Sequence, residues 1–199
     1  MRIAVYLAHP RPGSFNRALF DAVVDELHGQ AVEVVAHDLY AEGFDPALVA
    51  AETDTVGGRQ ADSGQVRGYQ DELAELDALI FVHPNWWGMP PAILTGWVQR
   101  VLTSAVAYKL TDASGTPIGL LRAKRALVLN TSDTTEDRER DVFGDPLHQI
   151  WAACVLPYVG IDDVRRRVFR TVTDSTDQQR AAWLAEARAL AAALAADCC

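Results

Sequence analysis

Residues 83–92 carry the side chains best suited to hold a flat aromatic molecule. This segment, His-Pro-Asn-Trp-Trp-Gly-Met-Pro-Pro-Ala, directly follows the apolar run at residues 79–82. The indole rings of Trp86 and Trp87 could stack on a ligand ring, and Gly88 would let backbone N–H groups approach that ring closely. At least one of the two tryptophans is expected to pack in the core instead. The segment predicts a binding site for a flat aromatic ligand.

Residues 9–17 have the residue types of an anion site. They join an apolar run to a helical pattern, and they include Ser14, Asn16 and Arg17. The free N–H groups and the dipole at a helix N-terminus attract phosphate, and these three side chains add hydroxyl, amide and guanidinium donors. Taken alone, the pattern fits an ordinary helix cap by Ser14 equally well. The segment has neither Gly-Lys-Ser/Thr nor Gly-x-Gly-x-x-Gly, which disfavours ATP binding and ordinary dinucleotide binding.

Residues 130–135, Asn-Thr-Ser-Asp-Thr-Thr, offer further hydroxyl and amide groups. The alternative is that these side chains simply cap a turn. The charged run that follows, residues 136–141, is interpreted as a solvated segment and not as a catalytic one. No convincing pair of carboxylates for hydrolysis is found, and no acid or base is assigned.

Hydrophobic periodicity predicts strands that alternate with helices along the chain. Strand patterns cover residues 3–8, 32–37, 78–82, 126–130 and 164–172. Helical patterns cover residues 15–29, 65–75, 92–103, 147–158 and 178–196, and Ser14 is expected to cap the first helix. Residues 38–64 are expected to be mostly irregular, and residues 107–121 to form a hairpin with a turn at 112–115.

This alternation predicts an α/β fold in which a parallel sheet has helices on both faces. In such a sheet, ligands bind beyond the carboxyl ends of the strands. The segments that begin at His9, His83 and Thr131 all follow strands, so we expect them to meet at one sheet edge. The length of 199 residues fits one domain, residues 1–199.

The net charge of −9 and a pI near 4.9 disfavour nucleic-acid and anionic-membrane partners. The short basic cluster at residues 165–167 is interpreted as part of a solvated strand or as the anchor of an ion pair. No apolar window reaches the length of a membrane span, and the first residues match a strand better than a secretory signal, so a cytoplasmic protein is expected. The three cysteines form neither a disulfide framework nor a metal site; Cys154 is expected to be buried, and residues 198–199 to fray.

A phosphate cradle beside an aromatic slot suggests a flavin nucleotide, and here the chain resembles a known family. It is similar to the NAD(P)H dehydrogenase (quinone) and flavodoxin-like NAD(P)H oxidoreductase family, which includes ancillary subunits of potassium efflux systems. The resemblance covers nearly the whole chain. It rests on Ala8-His9-Pro10 with Ser14-Phe15-Asn16, on Asp38-Leu39-Tyr40, and on Pro84-x-x-Trp87-x-x-x-Pro91-Ala92-x-Leu94-x-Gly96-Trp97-x-x-Arg100-Val101.

The resemblance implies a flavodoxin-like three-layer sandwich with a five-stranded parallel sheet of order 2-1-3-4-5. It also implies a non-covalent flavin (FAD or FMN), NAD(P)H as hydride donor, and a homodimer whose active sites lie at the subunit interface. Hydride transfer to the flavin would be followed by two-electron reduction of a quinone in the same slot. By position, the resemblance assigns His9, Ser14, Phe15 and Asn16 to the flavin phosphates, Pro84, Asn85, Trp86, Trp87 and Gly88 to the isoalloxazine ring, and Thr131 and Ser132 to the closure of the site.

The chain departs from the better-known quinone reductases in the third segment. Thr-Ser-Asp-Thr at residues 131–134 replaces their Thr-Thr-Gly-Gly, and Asp137 and Phe143 stand near the positions of their Tyr and His. The expected function is a flavin-dependent NAD(P)H oxidoreductase acting on quinones or similar electrophiles. Two alternatives remain open: a regulatory flavoprotein that binds a transport partner, and a flavodoxin-type electron carrier.

Overall fold

Five parallel strands form the central sheet of the computed structural model, which describes residues 1–53, 63–111 and 116–197. The sheet has the order β2-β1-β3-β6-β7, which confirms the predicted order 2-1-3-4-5 when only its own strands are counted. In chain order the strands are β1 (Arg2–Leu7), β2 (Glu33–Asp38), β3 (Ala78–Pro84), β4 (Tyr108–Leu110), β5 (Pro117–Gly119), β6 (Arg125–Ser132) and β7 (Asp163–Arg170).

The helices lie where the apolar spacing predicts them, with one addition. Ser14 caps the first helix, because its side chain accepts a hydrogen bond from the N–H of Arg17. The short helix α4 falls in the charged run, for which no helix was predicted. The helices are α1 (Phe15–His28), α2 (Gly64–Leu73), α3 (Ala92–Val101), α4 (Glu136–Asp141), α5 (Pro146–His148), α6 (Leu156–Tyr158) and α7 (Asp177–Ala196), with a π-helical segment (Gln149–Val155) between α5 and α6 and a 3₁₀ turn (Ala50–Glu52) after β2.

Both faces of the sheet are buried, which produces the predicted three layers. Alternate residues of β1 point to opposite faces: Ile3 and Val5 pack against α1 and α7, whereas Ala4 and Tyr6 pack on the side of α2 and α3. Every residue of β3 is buried, as the continuous apolar run at its start predicts for a strand covered on both sides. The sheet is therefore a rigid base for the loops at its carboxyl edge.

A small hairpin and a buried ion pair lie outside the main sheet. Strands β4 and β5 pair antiparallel, which confirms the hairpin; its predicted turn at 112–115 lies outside the described residues, as do residues 54–62 and 198–199.

Two nitrogens of Arg100 each lie 2.7 Å from a carboxylate oxygen of Glu52, and both side chains are almost fully buried. Arg100 of the family motif thus holds the segment after β2 against α3 and does not form part of the cleft.

Cys154 is exposed, so its predicted burial is wrong. The wider turn of the π-helical segment places this residue on the solvent side, which a pattern based on ordinary helical spacing does not predict. Within the described ranges, no helix combines the length and the hydropathy needed to cross a bilayer.

Candidate functional site

The loops after β1, β3 and β6 meet at the carboxyl edge of the sheet, where they enclose a cleft of about 440 Å³. Nine of the eleven predicted site residues line this cleft, and the other two, Trp87 and Gly88, line an adjoining cavity. The lining also includes residues that were not predicted from the sequence: Arg11, Gly13, Asp133, Thr134, Val172, Thr173 and Arg180. The nine predicted residues are His9, Ser14, Phe15, Asn16, Pro84, Asn85, Trp86, Thr131 and Ser132.

Hydrogen-bond donors collect where the cleft meets the N-terminus of α1. The N–H groups of Phe15 and Asn16 belong to the first turn, where a helix supplies no acceptor. The hydroxyl of Ser14 accepts from the N–H of Arg17 at 3.1 Å, which leaves its own hydrogen free to donate. Arg17 does not line the cleft, and its guanidinium is held by the carboxylates of Asp21 and Asp38 at 2.8 Å and 3.1 Å.

Asn16 connects this helix end to the loop after β6. Its amide nitrogen donates to the Thr131 hydroxyl at 2.8 Å, while its amide oxygen is buried and has no partner among the described residues. A buried acceptor without a donor is costly, so this oxygen is suited to a ligand hydroxyl. The N–H of Asn85 donates to the carbonyl of Thr131 at 2.7 Å, which fixes the second loop against the third.

His9 presents a neutral imidazole to the same cleft. Burial, reinforced by the charge of Arg11, lowers its pKa below the ordinary value. The backbone N–H of Arg11 donates to Nδ1 of His9 at 3.1 Å, so the proton of the neutral ring lies on Nε2. His9 can therefore donate one hydrogen bond from Nε2.

The two tryptophans lie on a tight turn. The N–H of Met89 donates to the carbonyl of Trp86 at 3.0 Å, and Trp87 and Gly88 between them have φ of 58° and 76°, the geometry of a type I′ turn. Trp87 is 95% exposed and Trp86 is 39% exposed, so the expectation that one of them packs in the core is wrong. Trp87 occupies a central position of this two-residue turn, and its side chain extends into solvent.

Asn85 and Pro146 hold this turn in place. The side-chain oxygen of Asn85 accepts from the N–H of Gly88 at 2.9 Å. A Cβ atom added to Gly88 would lie 3.0 Å from Cγ of Pro146, so a larger residue here would meet both the strain of a positive φ and a tight contact that Pro146 would have to relieve. Within the described ranges, the N–H of Trp87 donates to no protein acceptor and is available to a ligand.

A second cavity, of about 590 Å³, adjoins the cleft and shares Asn85 and Thr134 with it. We call this cavity the slot. Its walls include an indole, a phenyl and a pyrrolidine ring, together with two charged side chains. The remaining residues of the slot are Trp87, Gly88, Arg138, Glu139, Phe143 and Pro146. The cleft is therefore polar and rich in donors, while the slot beside it has two aromatic rings and a proline in its wall.

A buried histidine supports the strand that ends at the tryptophan turn. His83 accepts at Nε2 from Nε1 of Trp151 and from the side-chain amide of Asn130, both at 2.9 Å, and donates from Nδ1 to the carbonyl of Pro84 at 2.8 Å. Burial lowers the pKa of His83 to about 4, and the positive charge of Arg166 acts in the same direction. A second proton, on Nε2, would face the donor groups of Trp151 and Asn130. His83 therefore stays neutral and has a structural role.

Glu139 is the site residue that sequence reasoning placed wrongly. It lies in the charged run interpreted as solvated, yet its side chain is only 1% exposed. Its carboxylate contacts the guanidinium of Arg170, accepts from the amide of Asn85 at 2.8 Å, and lies 3.6 Å from Arg166, too far for a hydrogen bond. Arg166 also bonds Asp145 at 2.7 Å. The buried carboxylate thus orients Asn85, which in turn holds the tryptophan turn.

The basic cluster at residues 165–167 contains the ion pairs that were expected of it. Arg165 pairs with Asp163 and Asp197, Arg166 with Asp145, and Arg167 with Glu186. Period-two alternation along β7 places residues 166 and 170 on the same face, where both meet Glu139. Two arginines four residues apart on one face of a strand were the feature of the sequence that could have indicated a carboxylate packed against that face.

A family model described as the flavodoxin-like fold matches residues 1–192. Ribosyldihydronicotinamide dehydrogenase (quinone) of Pongo abelii is 30% identical over 168 residues, which cover 75% of this chain and 72% of that protein. The chain belongs to the flavodoxin-like NAD(P)H:quinone oxidoreductase family. Among solved structures, this family member resembles the NAD(P)H:quinone oxidoreductase of Methanothermobacter marburgensis with a TM-score of 0.82 and 26% identity, over 96% of this chain and 97% of that one. Smu.1420 of Streptococcus mutans has a TM-score of 0.84 and 28% identity, over 96% and 98%.

Proposed function

We propose that this chain is a flavin-dependent NAD(P)H oxidoreductase that reduces quinones or similar electrophilic acceptors by two electrons. The observation that carries the proposal is the direct connection between the donor-rich cleft and the aromatic slot through Asn85 and Thr134. The flavin nucleotide would fill the cleft, with its ring at the tryptophan turn, and the slot would stay open for the ring of a substrate. Two similar proteins, one a dehydrogenase (quinone) and one a quinone oxidoreductase, support the choice of acceptor.

The residues present suit a flavin nucleotide. The phosphate would be held by the N–H groups of Phe15 and Asn16 and the hydroxyl of Ser14, and the unpartnered oxygen of Asn16 would accept from a ribityl hydroxyl. The ring would lie against the tryptophan turn, where the N–H of Trp87 is free to donate. The proposed flavin contacts are those assigned from the resemblance: His9, Ser14, Phe15, Asn16, Pro84, Asn85, Trp86, Trp87, Gly88, Thr131 and Ser132.

When bound, the flavin would take a hydride from NAD(P)H and pass two electrons to the acceptor, with the overall balance NAD(P)H + H⁺ + quinone → NAD(P)⁺ + hydroquinone. The protein contributes orientation and fixed donors. Trp87, Phe143 and Pro146 wall the slot and limit water, and a slot of about 590 Å³ would hold one small flat molecule at a time. One shared slot requires the nicotinamide to leave before the quinone enters, which is a ping-pong order.

We also propose that the chain is one flavin-binding domain, works in the cytoplasm where reduced nicotinamide is available, and acts as a homodimer with its active sites at the interface. The support for the dimer is a group of exposed apolar side chains beside the slot. Trp87 is 95%, Val142 64%, Met89 54% and Phe143 48% exposed. Large apolar side chains clustered on one surface mark a contact site, and here a second copy would close the slot. Light scattering during size-exclusion chromatography measures the molar mass in solution and so distinguishes a dimer from a monomer.

The test of the proposed function is reconstitution followed by kinetics. Purified protein is titrated with FMN and with FAD, and the cofactor retained after purification is identified by mass spectrometry after denaturation. NAD(P)H should bleach the flavin absorbance, and a naphthoquinone should restore it with parallel-line ping-pong kinetics. Protein that binds neither flavin refutes the proposal. Electron transfer only through a partner protein would instead support the carrier, and flavin binding with negligible turnover would support the regulatory alternative.

A further inference from the structure

Arg138 lies at the wall of the slot and has no carboxylate partner in the part of the chain that the structure describes. Its guanidinium lies over the ring of Phe143, 5.2 Å from the ring centroid, and both side chains line the slot. Within the described ranges, its side chain takes part in no hydrogen bond or ion pair. Stacking on the ring restricts where the guanidinium can go while its N–H groups stay free.

The other charge of the slot wall is compensated. Glu139, the other charged residue of the wall, lies with Asp145 beside Arg166 and Arg170, which gives two negative and two positive groups. Among the described residues that line the slot, the charge of Arg138 is therefore left uncompensated, on a chain with a net charge of −9. A cation kept unpaired beside an aromatic slot on an acidic protein favours an anion as its partner.

We propose that the slot selects electron acceptors that carry an anionic group, such as a carboxylate or sulfonate on a quinone ring, and that Arg138 is the residue that binds this group. The inference rests on the proposed quinone reductase function and names its substrate class. The aromatic ring of the acceptor would occupy the slot, and its anionic substituent would meet the guanidinium in a charge-assisted hydrogen bond.

The experiment compares Arg138→Gln with wild type on a naphthoquinone and on its sulfonated counterpart. Each acceptor is compared with itself across the proteins, so differences in intrinsic reactivity cancel. The matched control is Arg140→Gln, on the same helix and with the same loss of charge; Arg140 is paired with Asp137 and Asp141 and is not part of the slot wall. We expect Arg138→Gln to lower kcat/KM for the sulfonated acceptor by about tenfold, through KM, because one exposed charged hydrogen bond is lost.

In Arg138→Gln, kcat/KM for the neutral quinone should change by less than about twofold. Arg140→Gln should leave kcat/KM unchanged for both acceptors, because a distant paired charge contributes little. A second readout needs no turnover: calorimetric titration with naphthalene sulfonate, which should bind wild type about tenfold more tightly than Arg138→Gln, with neutral naphthol as the reference. Equal effects on both acceptors, or none, overturn the inference.

The anion could instead come from a phosphate of the nicotinamide donor. Anaerobic stopped-flow measurement of the reductive half-reaction separates the two sources: a weaker Kd for NADPH in Arg138→Gln, with unchanged use of the sulfonated quinone, overturns the assignment to the acceptor. If wild type turns over neither quinone, the proposed function has failed, and the calorimetric comparison alone decides whether Arg138 binds an anion.

Discussion

Replacing Glu139 by glutamine should destabilise the protein by about 3 kcal/mol. Removal of one member of a buried ion pair costs about 3–5 kcal/mol, because the remaining charge is left without compensation. The lower end applies here, since Arg166 keeps its bond to Asp145 at 2.7 Å and Arg170, 15% exposed, can turn toward water. The glutamine also presents donor hydrogens to Arg170. Urea unfolding of the flavin-free protein, followed by circular dichroism, measures the loss.

Two further variants make this test decisive. Glu136→Gln removes an exposed charge from the same helix and should change the free energy of unfolding by less than about 0.5 kcal/mol. Adding Arg170→Met to Glu139→Gln removes the uncompensated cation and should recover at least about 1 kcal/mol. Flavin affinity should fall in Glu139→Gln, because Asn85 loses its anionic acceptor. If Glu139→Gln unfolds within about 0.5 kcal/mol of wild type, the description of Glu139 as a buried, compensated charge is wrong.

Three further predictions concern Gly88, Ser14 and His37. Gly88→Ala should cost more stability than Gly144→Ala by urea unfolding, because both glycines have positive φ but only Gly88 would place its Cβ against Pro146; equal losses would contradict this. Ser14→Ala should lower stability by about 1 kcal/mol through the lost helix cap and weaken flavin binding, whereas Ser14→Gly should weaken flavin binding with little loss of stability; unchanged flavin fluorescence titrations would count against the phosphate assignment. Burial lowers the pKa of His37, but hydrogen bonds to two glutamates outweigh this and raise it to about 9, so its stabilising effect should be complete below about pH 6.5 and lost as pH rises through 9; an NMR titration midpoint near 6.5 would disprove this.

The parts of the fold that repeat with a regular period could be predicted from the sequence. Runs such as residues 78–82 and 126–130 are buried on both sides, so they must be apolar throughout, and that pattern is visible without a structure. The strand order came from the family resemblance, because periodicity shows where strands are but not which strands pair. The three loops at one edge then followed from the general rule for parallel sheets.

The errors have physical reasons of three kinds. Burial of Glu139 depends on arginines that arrive later in the chain, one of them 31 residues away, so nothing within residues 136–141 distinguishes it from its exposed neighbours. Exposure of Trp87 depends on a turn with positive φ, which its hydrophobicity does not indicate. Arg17 had the right type and position for a phosphate donor but is held by Asp21 and Asp38, and such competition appears only when the partners are placed in space.

Three consecutive residues of helix α4 lie in three different environments. Arg138 lines the slot, Glu139 is buried beside the arginines of β7, and Arg140 pairs with aspartates at the surface. Each residue of a helix advances by about 100° around its axis, so inserting or deleting one residue near its start would bring an arginine to the buried position of the carboxylate. Substitutions at the outer positions can accumulate during evolution, but changes in length cannot. Relatives that keep the buried glutamate should therefore align through this helix without gaps, even where the adjoining loops differ in length.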